Sequence, residues 1–84
     1  MSERFARNLT ELRRSKGFSQ EELAFRASIH RTQVSLMENG VRLPRFETLI
    51  KLSGALEVSP AALTEGIEWE PVATVTGGLK VSDE

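Results

Sequence analysis

Apolar residues recur at helical spacing through the first two thirds of the chain, and the pattern changes to a β-prone run near its end. Phe5, Leu9 and Leu12 stand three or four residues apart between Ser2 and about Lys16, with Arg and Glu on the outer face. This spacing predicts a first amphipathic helix, which Gly17 ends. Ser19 followed by Glu22 is a capping-box pattern, in which hydroxyl and carboxylate each satisfy an orphaned amide at a helix start. A second helix is therefore read from Gln20 to Ser28, with Leu23, Ala24 and Ala27 facing inward. The two alanines are small where helices must cross closely, and Ser28-Ile29-His30 is a short break before the next helix. The third helix, Arg31 to Asn39, has Val34 and Met37 as its buried stripe. Asn39-Gly40 stops it, because Gly accepts the left-handed conformation that closes a helix, and Pro44 prevents continuation.

A fourth helix from about Phe46 to Leu56 is expected to point Phe46, Leu49, Ile50 and Leu56 to the core and Lys51 and Ser53 outward. Ser59 caps a short fifth helix whose Pro60 takes the first position, where a missing amide costs nothing; Leu63 and Ile67 supply its apolar contacts. Beyond Gly66, Trp69-Glu70-Pro71 leads into Val72-Ala73-Thr74-Val75-Thr76, then Gly77-Gly78 and Leu79-Lys80-Val81. The run predicts a hairpin with a two-residue Gly-Gly turn. An isolated two-stranded ribbon is marginal in water, so it is expected to pair with a partner chain or to pack through Trp69, a flexible tail being the alternative.

Composition narrows the function. Eighty-four residues suit one small domain, which buries only about 60% of its unfolded surface and has a thin stability margin. The absence of Cys removes disulfides and sulfur-ligated zinc, and the single His30 cannot build a metal site unaided, so neither metal nor cofactor is expected. No Ser-His-Asp set or Gly-rich phosphate loop is present, and an enzyme is not expected. No apolar run approaches the roughly 20 residues that span a bilayer, and Met-Ser-Glu-Arg-Phe lacks the apolar stretch of a signal peptide. A cytoplasmic location without membrane contact is expected. The net charge of -1 hides an asymmetry: residues 1 to 56 hold ten Lys or Arg against six acids, a net of +4, and residues 57 to 84 hold Lys80 against six acids, a net of -5. A basic body with an acidic tail suits a polyanion partner.

The segment Ser19-Gln20-Glu21-Glu22-Leu23-Ala24, through Ile29 and Val34, to Glu38-Asn39-Gly40 carries a more specific signal. With Pro44, Leu49 and Leu56-Glu57-Val58-Ser59-Pro60 it resembles the phage-repressor and Cro type of helix-turn-helix, the Xre family, over roughly residues 5 to 65. The resemblance implies an all-α, five-helix lambda-repressor-like DNA-binding domain over residues 1 to 66, followed by an acidic tail or hairpin over 67 to 84. In such a motif the major groove, about 12 Å wide, admits one helix by its N-terminal residues while the preceding helix crosses the backbone.

On that reading Arg31, Thr32, Gln33 and Ser35 present donors and acceptors to bases, with Arg31, able to hold guanine bidentately, leading. Gln20 matches the position that donates to a phosphate from the start of the second helix. Arg42 and Arg45 flank the following loop and are expected at phosphates or the minor groove. Relatives commonly carry a small capping residue where Arg45 stands, so the Arg gives up a cap worth about 1 kcal/mol. Arg13 and Glu38 are assigned to a structural brace, His30 to the N-cap of the reading helix, and Ser28 stands where many relatives have Gly. The function implied is a transcriptional regulator, a repressor, binding a pseudo-palindromic operator as a homodimer. The alternatives are an antitoxin or restriction-modification controller regulating its own operon, with a protein partner on the tail, and a protein-interaction module that has lost DNA binding.

Overall fold

The computed structural model describes residues 1–71 and the backbone of residues 77–81. Within them five helices precede a two-stranded ribbon: α1 (Ser2–Ser15), α2 (Gln20–Ala27), α3 (Arg31–Glu38), α4 (Phe46–Leu56), α5 (Pro60–Leu63), β1 (Ile67–Pro71) and β2 (Gly77–Val81). One core holds the helices together, formed by Phe5, Leu9, Leu23, Ala24, Ala27, Val34, Met37, Leu52, Leu56 and Leu63. The helical spacing of α1, α2 and α3 thus lands as the sequence predicts.

The first four helices end in one way. The amide of a left-handed residue returns to the carbonyl three residues back and the next amide to the carbonyl five back. Gly17 and Phe18 bond Arg14 and Arg13, Ser28 and Ile29 bond Phe25 and Ala24, Gly40 and Val41 bond Met37 and Leu36, and Glu57 and Val58 bond Gly54 and Ser53. Phe18, Ile29 and Val58 then pack back on the core, whereas Val41 stays exposed. Glycine takes the left-handed position after α1 and α3, but Ser28 and Glu57, at φ 57° and 58°, take it after α2 and α4. A Cβ is strained there.

Asn8 and Arg4 of α1 close the far end of the domain. Asn8 Nδ2 donates to the carbonyls of Leu63 and Glu65, both at 2.9 Å, and Arg4 Nε donates to that of Glu65 at 3.2 Å. These bonds fix the exit of α5, where Gly66 turns at φ 85° with the Arg4 guanidinium against it.

Several expectations need correction. In α4 the buried residues are Leu52, Ser53 and Leu56, with Leu49 half-buried; Phe46, at 78% exposure, and Ile50 face solvent. The helix carries two apolar stripes, and packing against α2 and α5 selects Leu49, Leu52 and Leu56 over Phe46 and Ile50. Ser53 tolerates burial because its Oγ donates to the Ile50 carbonyl at 2.9 Å, so a small polar side chain enters the core satisfied. Half of the capping box forms: Ser19 Oγ accepts from the Glu22 amide at 3.0 Å, while the Glu22 carboxylate binds Arg26 at 2.7 Å. Ser59 stands at the N-cap of α5 without a side-chain capping bond, and its carbonyl accepts from the Ala62 amide. The hairpin forms in a different register. Its first strand is Ile67–Pro71, in which apolar and charged residues alternate from the core contact of Ile67, and Gly77 and Gly78 lie within β2 opposite Pro71 and Glu70 rather than in the turn. The predicted strand over residues 72–76 lies outside the described residues.

Two stability effects follow. Glu57→Gly is expected to raise unfolding stability by about 0.5–1 kcal/mol by removing the left-handed penalty. Asn8→Ala is expected to lower it by about 1–3 kcal/mol through carbonyls left without their donor. Urea titration followed by circular dichroism reads both.

Candidate nucleic-acid interface

The reading helix α3 is only eight residues long, too short to hold its shape alone, so its surroundings determine where its free face points. Val34 and Met37 anchor its inner side in the core. At its start His30 is the N-cap, with ring Nδ1 accepting from the Thr32 amide at 3.2 Å and carbonyl accepting from the Gln33 amide at 2.9 Å. Histidine here does what Ser or Thr would do at that position. The turn before it is set by left-handed Ser28, so the serine adopts the conformation that a glycine would take more cheaply.

At its other end α3 is clamped by an ion pair. Arg13 Nε and Nη2 donate to Glu38 Oε2 and Oε1 at 2.6 and 3.0 Å, a bidentate fork, and Nη1 donates to the Phe18 carbonyl at 2.8 Å. The Arg13 and Glu38 side chains are only 12% and 5% exposed. Gln20, the first residue of α2, joins the same carboxylate: its Nε2 donates to Glu38 Oε1 at 2.9 Å. Three helices therefore meet on Glu38, and the brace expected between Arg13 and Glu38 is present with Gln20 as a third member that sequence reasoning placed only toward a ligand.

Arg31, Thr32 and Gln33 are exposed on the first turn, with Thr32 opposite the Val34–Met37 stripe and Arg31 and Gln33 flanking it, and Ser35 is half-exposed, its Oγ accepting from Asn39 Nδ2 at 3.4 Å. Leu36 is half-buried. Gln20 reaches α3 through the Glu38 hub, and Arg42 and Arg45 follow in the loop beyond it. Gln33, Met37, Arg42, Arg45 and Thr48 line an open groove of about 260 Å³ between α3 and the start of α4, which joins one base-reading candidate to both loop arginines. Arg45 is the N-cap residue of α4, and its guanidinium, which has only donors, makes no capping bond to the free amides there. The loop also exposes Val41 and Phe46 beside the two arginines. Thr48 and Phe46 were not anticipated at this surface. The α4 periodicity could have placed Phe46 here had Leu49, Leu52 and Leu56 been chosen as its buried stripe.

The arrangement is that of a helix-turn-helix DNA-binding domain: two short helices crossing over small residues, the second presenting polar side chains by its N-terminal turns. Comparison with known proteins places it more narrowly. The model of the helix-turn-helix family HTH_3 matches residues 9–63, and the chain belongs to that family, the Cro and phage-repressor type of transcriptional regulators. Control protein C.BamHI of Bacillus amyloliquefaciens is 39% identical over 62 residues, covering 73% of this chain and 76% of that protein. The HTH-type transcriptional regulator y4dJ of Sinorhizobium fredii is 37% identical over 67 residues, covering 80% and 87%. Among solved structures, the restriction-modification controller protein C.AhdI from Aeromonas hydrophila superposes with a TM-score of 0.72 at 39% identity, covering 74% of this chain and 94% of that one. Among the described residues, no helix is long and apolar enough to cross a membrane.

The clamp has a measurable consequence. Glu38→Ala leaves the largely buried Arg13 fork without its carboxylate, and an unfolding-stability loss of about 3–5 kcal/mol is expected, with Glu38→Gln losing less because its amide oxygen still accepts at one of the two positions while its NH2 meets a donor at the other. Chemical denaturation of the two variants beside wild type reads the difference.

Proposed function

We propose that this chain is a repressor that binds a pseudo-palindromic operator as a homodimer, reading each half-site through α3. The observation that carries the proposal is the free face of α3, where Arg31, Thr32 and Gln33 stand exposed on a helix whose inner side and both ends are tied down. Arg31 is assigned to a guanine edge, Thr32, Gln33 and Ser35 to neighbouring bases. Gln20, held by Glu38, is assigned to a phosphate on one side, and Arg42 and Arg45 to phosphates or the minor groove on the other. One short helix contacts few base pairs, and a second copy on a half-site about 34 Å away supplies the rest. Residues 1–66 are proposed as the reading domain and 67–84 as an appendage offering a protein contact, with the whole acting in the cytoplasm where the DNA lies.

The similarity to C.BamHI and C.AhdI favours one particular version: a controller of a restriction-modification system that acts on the promoter of its own operon. Fluorescence anisotropy with the DNA upstream of its own gene, across a salt series, tests the reading. Arg31→Ala is expected to lose about 1–3 kcal/mol of discrimination between this DNA and scrambled sequence. Arg42→Ala is expected to weaken both equally and to lower the salt slope by about one. Weak, salt-erased binding shared by wild type and both variants overturns the assignment.

A further inference from the structure

The reading helix ends on a chemically labile pair. Asn39 is followed by Gly40, whose amide nitrogen has no neighbouring Cβ to hinder attack on the asparagine side-chain carbonyl. Asn39 is exposed, and both residues line an open groove of about 400 Å³ against α1, so solvent reaches them. The folded backbone nevertheless holds the reacting groups apart. Asn39 stands at φ -89° and ψ 2°, which turns the Gly40 nitrogen toward Asn39's own nitrogen and away from its side chain. The Gly40 amide donates to the Met37 carbonyl at 3.2 Å and the Val41 amide to that of Leu36 at 2.9 Å, so the nitrogen is occupied and the residue after it is pinned. The Asn39 side chain is held far more loosely, by Nδ2 donating to Ser35 Oγ at 3.4 Å. The lock therefore lies in the backbone bonds that close α3, and the buried Glu38 clamp stands one residue before it. Opening such a helix end is a local event, cheaper than unfolding the domain.

From this geometry we infer that Asn39–Gly40 is a self-modification site, closed while the end of α3 is intact and open when it frays, through which chains not held by DNA are retired. The last clause rests on the DNA binding proposed above; the site itself does not. The reaction needs only water. The Gly40 nitrogen gives its proton to solvent and bonds to Asn39 Cγ, the bond from Cγ to Nδ2 breaks, and Nδ2 takes a proton from solvent and leaves as ammonia. Water then opens the resulting ring at either carbonyl, giving aspartate or, where the chain now runs through the former side chain, isoaspartate; nothing is oxidised or reduced. Both products disturb α3. Each adds a negative charge beside Glu38 at the helix end whose dipole is already negative. Isoaspartate also lengthens the backbone between Met37 and Val41, so the closing bonds are lost and the loop that carries Arg42 and Arg45 loses its anchor. DNA engaged by α3 and by this loop keeps the same end closed, and bound chains are spared.

The test follows the site by peptide mass spectrometry during incubation of the full-length protein at mildly alkaline pH. Three samples run side by side: native buffer, native buffer with saturating DNA from upstream of its gene, and guanidinium chloride. Conversion of Asn39 is expected to be at least about tenfold faster in denaturant than in native buffer, and slower again with DNA. Glu38→Gln, shown by circular dichroism to be folded, weakens the clamp next to the site. It is expected to convert about three- to tenfold faster than wild type in native buffer and no faster in denaturant. Converted chains, separated by their added charge, are expected to bind the DNA about tenfold more weakly. Asn39→Gln, whose longer side chain must close a larger and slower-forming ring, is expected to keep its affinity through the same incubation. Equal rates in native buffer and denaturant overturn the inference, as does undiminished affinity in the converted chain. DNA that binds without slowing conversion overturns the sparing of bound chains. If wild type does not bind this DNA at all, the functional reading falls, and the native and denatured rates still decide the site.

Discussion

The buried fork between Arg13 and Glu38 is the interaction on which the reading surface depends. A charged pair at 12% and 5% side-chain exposure is costly to desolvate, and its own contribution to stability is modest even with good geometry. What it supplies is placement. Glu38 is the last residue of α3, Arg13 lies near the end of α1, and Gln20 opens α2, so one carboxylate ties three helices at the point where their relative positions determine how α3 is presented. An apolar contact at the same place would hold the helices together but would tolerate sliding; a bidentate fork does not.

The free face of α3 can remain polar because everything else about the helix is satisfied internally. Its first amides are taken by His30, its last carbonyls by Gly40 and Val41, and its inner side by the core. Side chains on the outer turn are therefore available to a ligand. The same economy extends to the loop that follows: Leu43 packs on the core and holds the chain down, leaving Val41, Arg42, Arg45 and Phe46 outside. A domain with so small a core has little stability to spare, and the strained Ser28 and Glu57 subtract from it.

Much of the fold was legible because its signals are local. Caps, helical spacing and helix-ending residues located α1, α2 and α3, and the same region carries the resemblance that pointed to DNA. Where two answers were locally equivalent the sequence alone chose badly. Helix α4 offers two apolar stripes, and only the positions of α2 and α5 decide between them. Gly77-Gly78 is a turn signal in isolation, but the strand that starts at Ile67 pairs with a strand that contains both glycines. Bonds between distant parts of the chain left no local trace at all: Asn8 and Arg4 serve carbonyls 55 to 61 residues away, and nothing about an asparagine in an amphipathic helix reveals the recipient. The hydrogen bond from Gln20 to Glu38 is of the same kind, and it links the residue read from the motif to the brace read separately.

On the function proposed for this chain, DNA is met by the free face of α3 and the loop beyond it. The most direct measurement is an amide-resolved NMR titration of the isotope-labelled full chain with a duplex from upstream of its gene. The largest shifts are expected at Gln20, from Arg31 to Ser35 and from Val41 to Phe46, with the outer face of α1 little changed. Shifts centred on Arg7 and Arg14 of α1 or on β1, with α3 unmoved, would contradict it.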